Sequence, residues 1–450
     1  MADQDLNVQF EQVKKIEDGD YSCEQIDDDL FAMLIPYCLN NSTLNFECNS
    51  IHIIDDLSIL SNSTTLTELN LSDNLIIDSR AFTFLSEDTI ITTLKLNSNK
   101  ITTVDVFEVL KDNTTLTDLE LADNFISNAS SFAVLNNNSS LTTLILDFNQ
   151  IDDGEVFRFL ENNSSLTYLS LSANYLRKID FAEALSTNST LTYLNLGGNL
   201  ITDLSPLEAL ANNTTLLTLV LDNNRINSFD VFEILSVNTT LTSLDLSANH
   251  PYNTKVFQVL DRNSTLTDLN LSFNYMKKLD FAEALRKNST LTKLNLSCNY
   301  LKNIDDLISL ENNSALVDIN LSQNKIRSID VFKLLEKNST LTRLDLSKNK
   351  IKSTAIFEVL VRNSTLLYLN LEDNLIDEIN VFEILTKNST LISLNLRHNK
   401  ISKVDPFKVL FCNTTLETLD ISQNMFNRYQ VLQFFRDILK YNSSLVYLSL

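Results

Sequence analysis

The sequence predicts an α/β solenoid, with a parallel sheet along one face and short helices along the other. Three observations predict it. A 25-residue unit recurs in fifteen registered copies between Leu66 and Phe426, without insertion or deletion. Asparagine holds one position of every copy, from Asn74 to Asn424. The 450 residues include only 4 Gly, 4 Pro and no Trp, so one turn solution built from other residue types must be used many times. A 44% hydrophobic and 21% charged composition is that of a folded chain.

The elements follow in chain order. Residues 1–43 are acidic and depart from the repeat; their apolar stretch Leu30–Ile35 reads as a helical cap over the first sheet edge. A shortened copy opens the array at Leu44. In each full copy the strand alternates, Leu69 and Leu71 inward, Glu68, Asn70 and Ser72 outward. Asn74 follows at the bend, where a buried carboxamide offers two donors and two lone pairs to backbone groups that turn inward. The return segment, as in Asp105–Asp112, reads as a short helix capped at the position of Asp105, with Ser205-Pro206 and Asp405-Pro406 fitting a helix start. Phenylalanine recurs two residues after that cap in ten copies, from Phe82 to Phe407, as a buried aromatic spine; Phe181 and Phe281 stand one position earlier. Asn-Ser-Thr-like triplets at Asn113, Asn163, Asn188 and onward match the glycosylation pattern, but turn chemistry at the helix exit accounts for them. After the last full copy, Arg428–Lys440 lengthens the final helix and a partial copy runs from Leu445 to Leu450, leaving an edge that is open or covered by a partner or further segment.

The pattern L-x-x-L-x-L-x-x-N-x-[I/L], sustained over residues 44–450, resembles the leucine-rich repeat family. Its helix-bearing return segment looks most like the ribonuclease-inhibitor-like class, with a shorter unit. The resemblance implies a horseshoe with the sheet on its concave face and helices on its convex face. It further implies a non-enzymatic scaffold (an adaptor, inhibitor or recognition module) that holds a protein partner in the concavity. The alternative is the recognition portion of a larger receptor or secreted effector. Ice binding is a third expectation, raised by T-x-T pairs such as Thr115/Thr117 and Thr340/Thr342, and countered by the curvature of a horseshoe and by Thr117 sharing the parity of Leu119.

Charge and composition exclude several functions. The formal charge is −23 with a pI near 4.5, which opposes nucleic acid and a polybasic membrane anchor. The opening residues lack a secretory pattern, and no apolar run approaches a bilayer span of ~20 residues. Five scattered cysteines fit a reducing, cytoplasmic setting better than a disulfide framework. Three histidines lack the partners of a metal or nucleophile site, and four glycines make no phosphate loop. Hence no catalytic residue, metal or cofactor is expected, and the oligomeric state is left open.

The outward sheet positions carry the functional expectation. With strands ~4.8 Å apart, fifteen of them trace roughly 70 Å, enough for a protein domain. Most outward residues are Asn, Ser, Asp or Thr. The departures cluster: Phe125, Ile145, Phe148, Tyr168, Tyr175, Tyr193 and Val220, with Tyr168 and Tyr193 at equivalent sites on adjacent strands. For Tyr175, simple packing over the next turn competes with a binding role. A second candidate patch is basic: Arg343, Lys348, Lys350 and Arg397, joined by Lys293, Lys325 and Lys400. It suits an acidic partner surface, against the commoner reading of a solvated face. Residues 1–150 hold a net charge of −19 and the rest only −4.

Overall fold

Each unit opens with a three-residue strand whose central leucine is buried and whose flanking residues face solvent, as alternation requires. The protein is described by a computed structural model covering residues 10, 13, 18–54, 57–78, 80–86, 89–102, 105–251, 253–302, 304–327, 330–352, 355–377, 387–402, 410, 412–427, 429, 431, 432, 436, 440 and 442–449. The chain divides into two compact units, Met1–Ile226 and Asn227–Leu450. The array read from the sequence as one domain is therefore described in two parts.

In the first unit the strands are β1 (Thr43–Asn45), β2 (Glu68–Asn70), β3 (Thr93–Lys95), β4 (Asp118–Glu120), β5 (Thr143–Ile145), β6 (Tyr168–Ser170), β7 (Tyr193–Asn195) and β8 (Thr218–Val220). Each pairs in parallel with the next, always 25 residues on. The second unit continues with β9 (Ser243–Asp245), β10 (Asp268–Asn270), β11 (Lys293–Asn295), β12 (Asp318–Asn320), β13 (Arg343–Asp345), β14 (Tyr368–Asn370), β15 (Ser393–Asn395), β16 (Thr418–Asp420) and β17 (Tyr447–Ser449). These also pair in sequence order, and only the last step, Thr418 to Tyr447, exceeds the 25-residue register. Parallel strands, helical returns and an unclosed stack define an α/β solenoid.

The asparagine row behaves as its chemistry demands. Asn174 is buried; its amide donates to Leu146 O (2.9 Å), Leu171 O (3.1 Å) and Ser172 O (3.2 Å). Its Oδ1 accepts from the Ile151 N–H at 3.0 Å. One side chain thus serves two units. A second row does the same at the helix exit: Asn163 donates to Leu135 O (2.8 Å) and Asn138 O (3.3 Å) while accepting from the Ser165 and Leu166 N–H groups. These are the triplet asparagines, and from Asn113 to Asn413 they are buried, so turn chemistry is what they perform.

The return segments are mostly 3-10 helices, for example Ser205–Ala211 and Lys255–Asp261, with α-helix at Asp105–Leu110, Ala182–Thr187, Ala282–Lys287 and Ala355–Leu360. A 3-10 turn rises ~2.0 Å per residue against ~1.5 Å for α, so it crosses the unit with fewer residues. The capping residues sit two positions earlier than the sequence suggested. Asp203 accepts from the Ser205 N–H (2.9 Å), Ser228 from Asp230 (3.1 Å) and Asn253 from Lys255 (2.9 Å). Ser205 and Asp230 are the first helical residues, without a capping bond of their own at the position before them.

The spine is present wherever it is described. Phe82, Phe107, Phe132 and Phe157 are buried in the first unit, Phe232 and Phe257 in the second. The displaced Phe181 packs its ring 4.6 Å from Phe157, and Phe281 packs 5.5 Å from Phe257, filling the same layer. The side chains of Phe332, Phe357, Phe382 and Phe407 lie outside the described residues, as does most of Arg428–Lys440.

The N-terminal segment departs from the expectation of a purely helical cap. A helix runs Asp28–Leu34, capped by Asp27 accepting from the Leu30 N–H. Before it, Gly19–Ile26 forms another turn of the same build: Asp20 bridges Asn45, and Tyr21 donates its N–H to Asn45 O (2.7 Å). Asn49 Oδ1 accepts from the Ile26 N–H, repeating the asparagine bond. Gly19 has φ +81°, and a Cβ there would meet Thr43 O at 2.2 Å, so only glycine fits.

Removing one carboxamide from the ladder orphans buried groups at ~1–3 kcal/mol each. Asn174→Ala should lower stability by about 3 kcal/mol, read as a shift of the urea unfolding midpoint; a loss under about 1 kcal/mol would show the ladder to be dispensable.

Candidate functional site

The register of β5 to β8 aligns Thr143, Tyr168, Tyr193 and Thr218 in one outward row and Ile145, Ser170, Asn195 and Val220 in the next. Strand spacing dictates what the two tyrosines do. Their rings lie 4.2 Å apart and 4° from parallel, a face-to-face stack that covers one face of each. Both are half-buried. Burial first, then the hydrogen bond with Tyr168, pushes the Tyr193 hydroxyl up to about 12.

Apolar groups surround the stack. Ile145 and Val220 are half-exposed, and Phe125, Phe148 and Tyr175 stand out with 46%, 64% and 54% of their surface in solvent. Phe125 and Tyr175 leave the bend after the buried asparagine, each held by its N–H to the preceding unit (Ile101 O and Ile151 O, both 2.9 Å). Beside Tyr193 the surface has no side chain at Gly197 or Gly198, and a Cβ at Gly197 would meet Asp222 Oδ1 at 2.0 Å. Under Phe148, Asp147 accepts from the Ser170 hydroxyl and the Ser172 N–H (2.7 Å). Burial outweighs these bonds and raises its carboxyl above the ordinary range.

One feature was missed in the sequence. The residue before the buried asparagine is left-handed in every full copy, with φ between +50° and +65° from Asp73 to Gln423. Only Gly198 is glycine there. Small and polar residues (Asp73, Ser98, Asp123, Asn223) suit the position. Phe148 and Phe273 do not, and that anomaly in an otherwise polar column was the available signal.

In the second unit the same outward row reads Asp268, Lys293, Asp318, Arg343, Tyr368. Arg343 Nε lies 3.6 Å from Asp318, and its guanidinium sits 4.4 Å over the Tyr368 ring. A cavity of 310 Å³ opens among Asp268, Lys293, Asn320, Arg343 and Asp345. Burial raises Asp268 and Asp318, opposed by Lys293 in the first case and by Arg343 and Lys293 in the second. Arg397 Nε lies 3.9 Å from Glu372, whereas Lys348 and Lys350 are exposed. The basic candidates thus alternate with acids, and the local charge is close to balanced. Nearby, His250, Tyr275 and Tyr300 stack in sequence at 4.7 and 5.4 Å, with Lys325 Nζ 4.0 Å from the Tyr300 ring centre.

The second threonine of the T-x-T pairs is committed elsewhere. Thr117, Thr142, Thr167 and Thr192 each donate their hydroxyl to the threonine carbonyl one unit back, at 3.0–3.1 Å. These hydrogens are not offered to a lattice of water. Among the described residues, no group of three His, Cys, Asp or Glu is placed to hold a metal ion, and no helix is long and apolar enough to cross a membrane.

Seven segments match the family described as Leucine Rich repeat: residues 62–79, 137–154, 187–204, 237–250, 287–303, 337–357 and 387–404. Their 25- or 50-residue spacing follows the strand register. Among solved structures, a leucine-rich repeat protein of Leptospira interrogans superposes with a TM-score of 0.68 at 20% identity, covering 95% of this chain and 100% of that one. The functional domain of InlJ from Listeria monocytogenes gives 0.49 at 24% identity, covering 89% and 72%. A plant peptide hormone receptor gives 0.47 at 18% identity, covering 92% and 75%. Among curated proteins, none matches the chain in sequence. The chain is a leucine-rich repeat protein.

Asp147 gives the site a pH signature. A carboxyl raised by folding favours the folded state when protonated, and that advantage is lost as pH rises through the folded value. Asp147→Asn keeps an oxygen acceptor for Ser170 and Ser172, so it should raise the unfolding midpoint at pH 7 and leave it nearly unchanged at pH 3. An equal shift at both pH values would contradict burial as the cause.

Proposed function

We propose that this protein is a non-enzymatic scaffold that binds a protein partner on the solvent face of its sheet, with the Tyr168–Tyr193 stack as the anchor. Leucine-rich repeat folds commonly serve as protein-interaction modules, and the coarse reading rests on that. The finer reading rests on one observation. A rigid pair of tyrosines is fixed by strand register and ringed by Ile145, Phe148, Tyr175 and Val220 in the first unit. Such a group offers large contact area at low entropic cost, the character of binding hot spots.

Phe148 supports the same reading from energetics. A bulky side chain in the left-handed region costs on the order of 1 kcal/mol, and exposure of its ring regains nothing in the free protein. Function at the surface supplies the compensation. The second-unit ladder of Asp268, Lys293, Asp318 and Arg343 is a weaker candidate, since its charges already face partners of opposite sign. We place the protein in the cytoplasm on the strength of its five unpaired cysteines.

The test is capture of partners by immobilised protein, identified by mass spectrometry. Tyr168→Ala with Tyr193→Ala should weaken the captured partner's affinity at least ~100-fold while moving the unfolding midpoint little. Retained affinity would remove the tyrosines from the interface. Separately, Phe148→Asn should raise stability by about 1 kcal/mol and weaken capture; a destabilised variant would show Phe148 to be a packing residue.

A further inference from the structure

The two exposed cysteines of the N-terminal turns, Cys23 and Cys48, occupy one repeat position on successive units. Both backbones are left-handed, with φ 57° and 61°. Each N–H reaches the carbonyl of the following unit in the same way: Cys23 to Glu47 O at 2.9 Å, Cys48 to Ser72 O at 3.1 Å. Identical backbone conformations one strand spacing apart project their side chains side by side. That spacing, ~4.8 Å, lies within the ~4.4–6.8 Å Cα separation of disulfides. The two thiols share a hydrogen bond. The other cysteines have no such neighbour: Cys298 stands in its row between Phe273 and Gln323, Cys38 is buried against the Tyr21 hydroxyl at 3.4 Å, and Cys412 is exposed elsewhere.

We propose that Cys23 and Cys48 form a dithiol modification site that closes to a disulfide under oxidising conditions, tying the outermost turn of the array to the first strand. The oxidant is a low-molecular-weight disulfide. One protein thiolate attacks it, forming a mixed disulfide and expelling one small thiolate. The second cysteine loses its proton to solvent and attacks the mixed disulfide at the protein sulfur, expelling the other small thiolate. Two protein thiols and one small disulfide become one protein disulfide and two small thiols. The Cys48 hydrogen bond and neighbouring Glu47 and Asp73 carboxylates contribute to raising the Cys23 thiol to about 11, so closure accelerates as pH rises. In a reducing compartment the pair rests open, and closure records an oxidative change.

The tie acts on a defined piece of structure. The Gly19–Ile26 turn is fastened to β1 and its bend by Asp20, Tyr21 and Cys23 backbone bonds and by Asn49. An end turn has a neighbour on one side only, so it opens before the interior units do. A covalent link between its bend and the next removes that opening.

The full-length protein is equilibrated with oxidised glutathione at pH 8, alkylated under denaturing conditions and digested. The expected result is a Cys23–Cys48 linked peptide and a fall from five alkylatable thiols to three or fewer, as Cys412 takes a glutathione. Amide exchange across residues 19–42 should slow ~10-fold or more on oxidation. Cys23→Ser and Cys48→Ser, at a position where Ser98 already serves, should each leave one glutathione on the remaining cysteine and abolish the slowing. Independent glutathionylation of both cysteines in the wild-type protein, or a link formed without any change in exchange, would overturn the proposal.

Discussion

The side-chain amide of asparagine is the interaction on which this structure depends. At the bend after each strand, and again at the helix exit, the backbone directs polar groups into an apolar interior where no water serves them. A carboxamide placed there donates to carbonyls of its own unit and of the one before, and accepts an N–H as well. The leucines contribute the larger share of burial, but they are tolerant of small slips. The amide bonds are not, because a shift by one residue would orphan donors and acceptors on two units at once. Coupling between nearest neighbours is therefore built into the polar chemistry as much as into the packing.

Because the interior fixes the fold, the outward positions are free to vary. The same row that carries stacked tyrosines on β6 and β7 carries an alternating acid–base ladder on β10 to β13. Neither arrangement disturbs a buried contact, and both inherit their spacing from the strands. Rings four to five ångströms apart must stack, and opposite charges at that spacing must pair. Surface character is set by residue choice while its geometry is set by the sheet.

Much of this was legible in the sequence because the period is unbroken. Strand parity, the Asn74 row, the Phe82 spine and the adjacency of Tyr168 with Tyr193 all follow from counting in steps of 25. What escaped has physical reasons. The left-handed residue before each asparagine is hidden because Asp, Ser, Asn, Gln and Ala all tolerate it, leaving no single-letter signature. The helix caps lie two residues early because the short unit folds its return as 3-10 turn, whose first residue is not where an α-helix would begin. The turn at Gly19–Ile26 lacks the leucines and the asparagine of the consensus; only the spacing of Tyr21, Cys23 and Ile26 from Phe46, Cys48 and Ile51 betrays it. Pairing of the basic residues escaped too, since Asp318 was read as filler and not as the counter-ion of Arg343.

The buried triplet asparagines bear on where such a chain can be made. Each sits within an acceptor pattern for sugar transfer, yet in the finished fold its amide nitrogen is enclosed and already donating to two carbonyls. A sugar attached during synthesis, before the units close on one another, would occupy the nitrogen that the helix exit requires and could not be accommodated inside. Any cell that threads this polypeptide past an oligosaccharide-transferring enzyme would jam the stack at the modified copies, so the sequence is matched to ribosomes whose nascent chains never meet one.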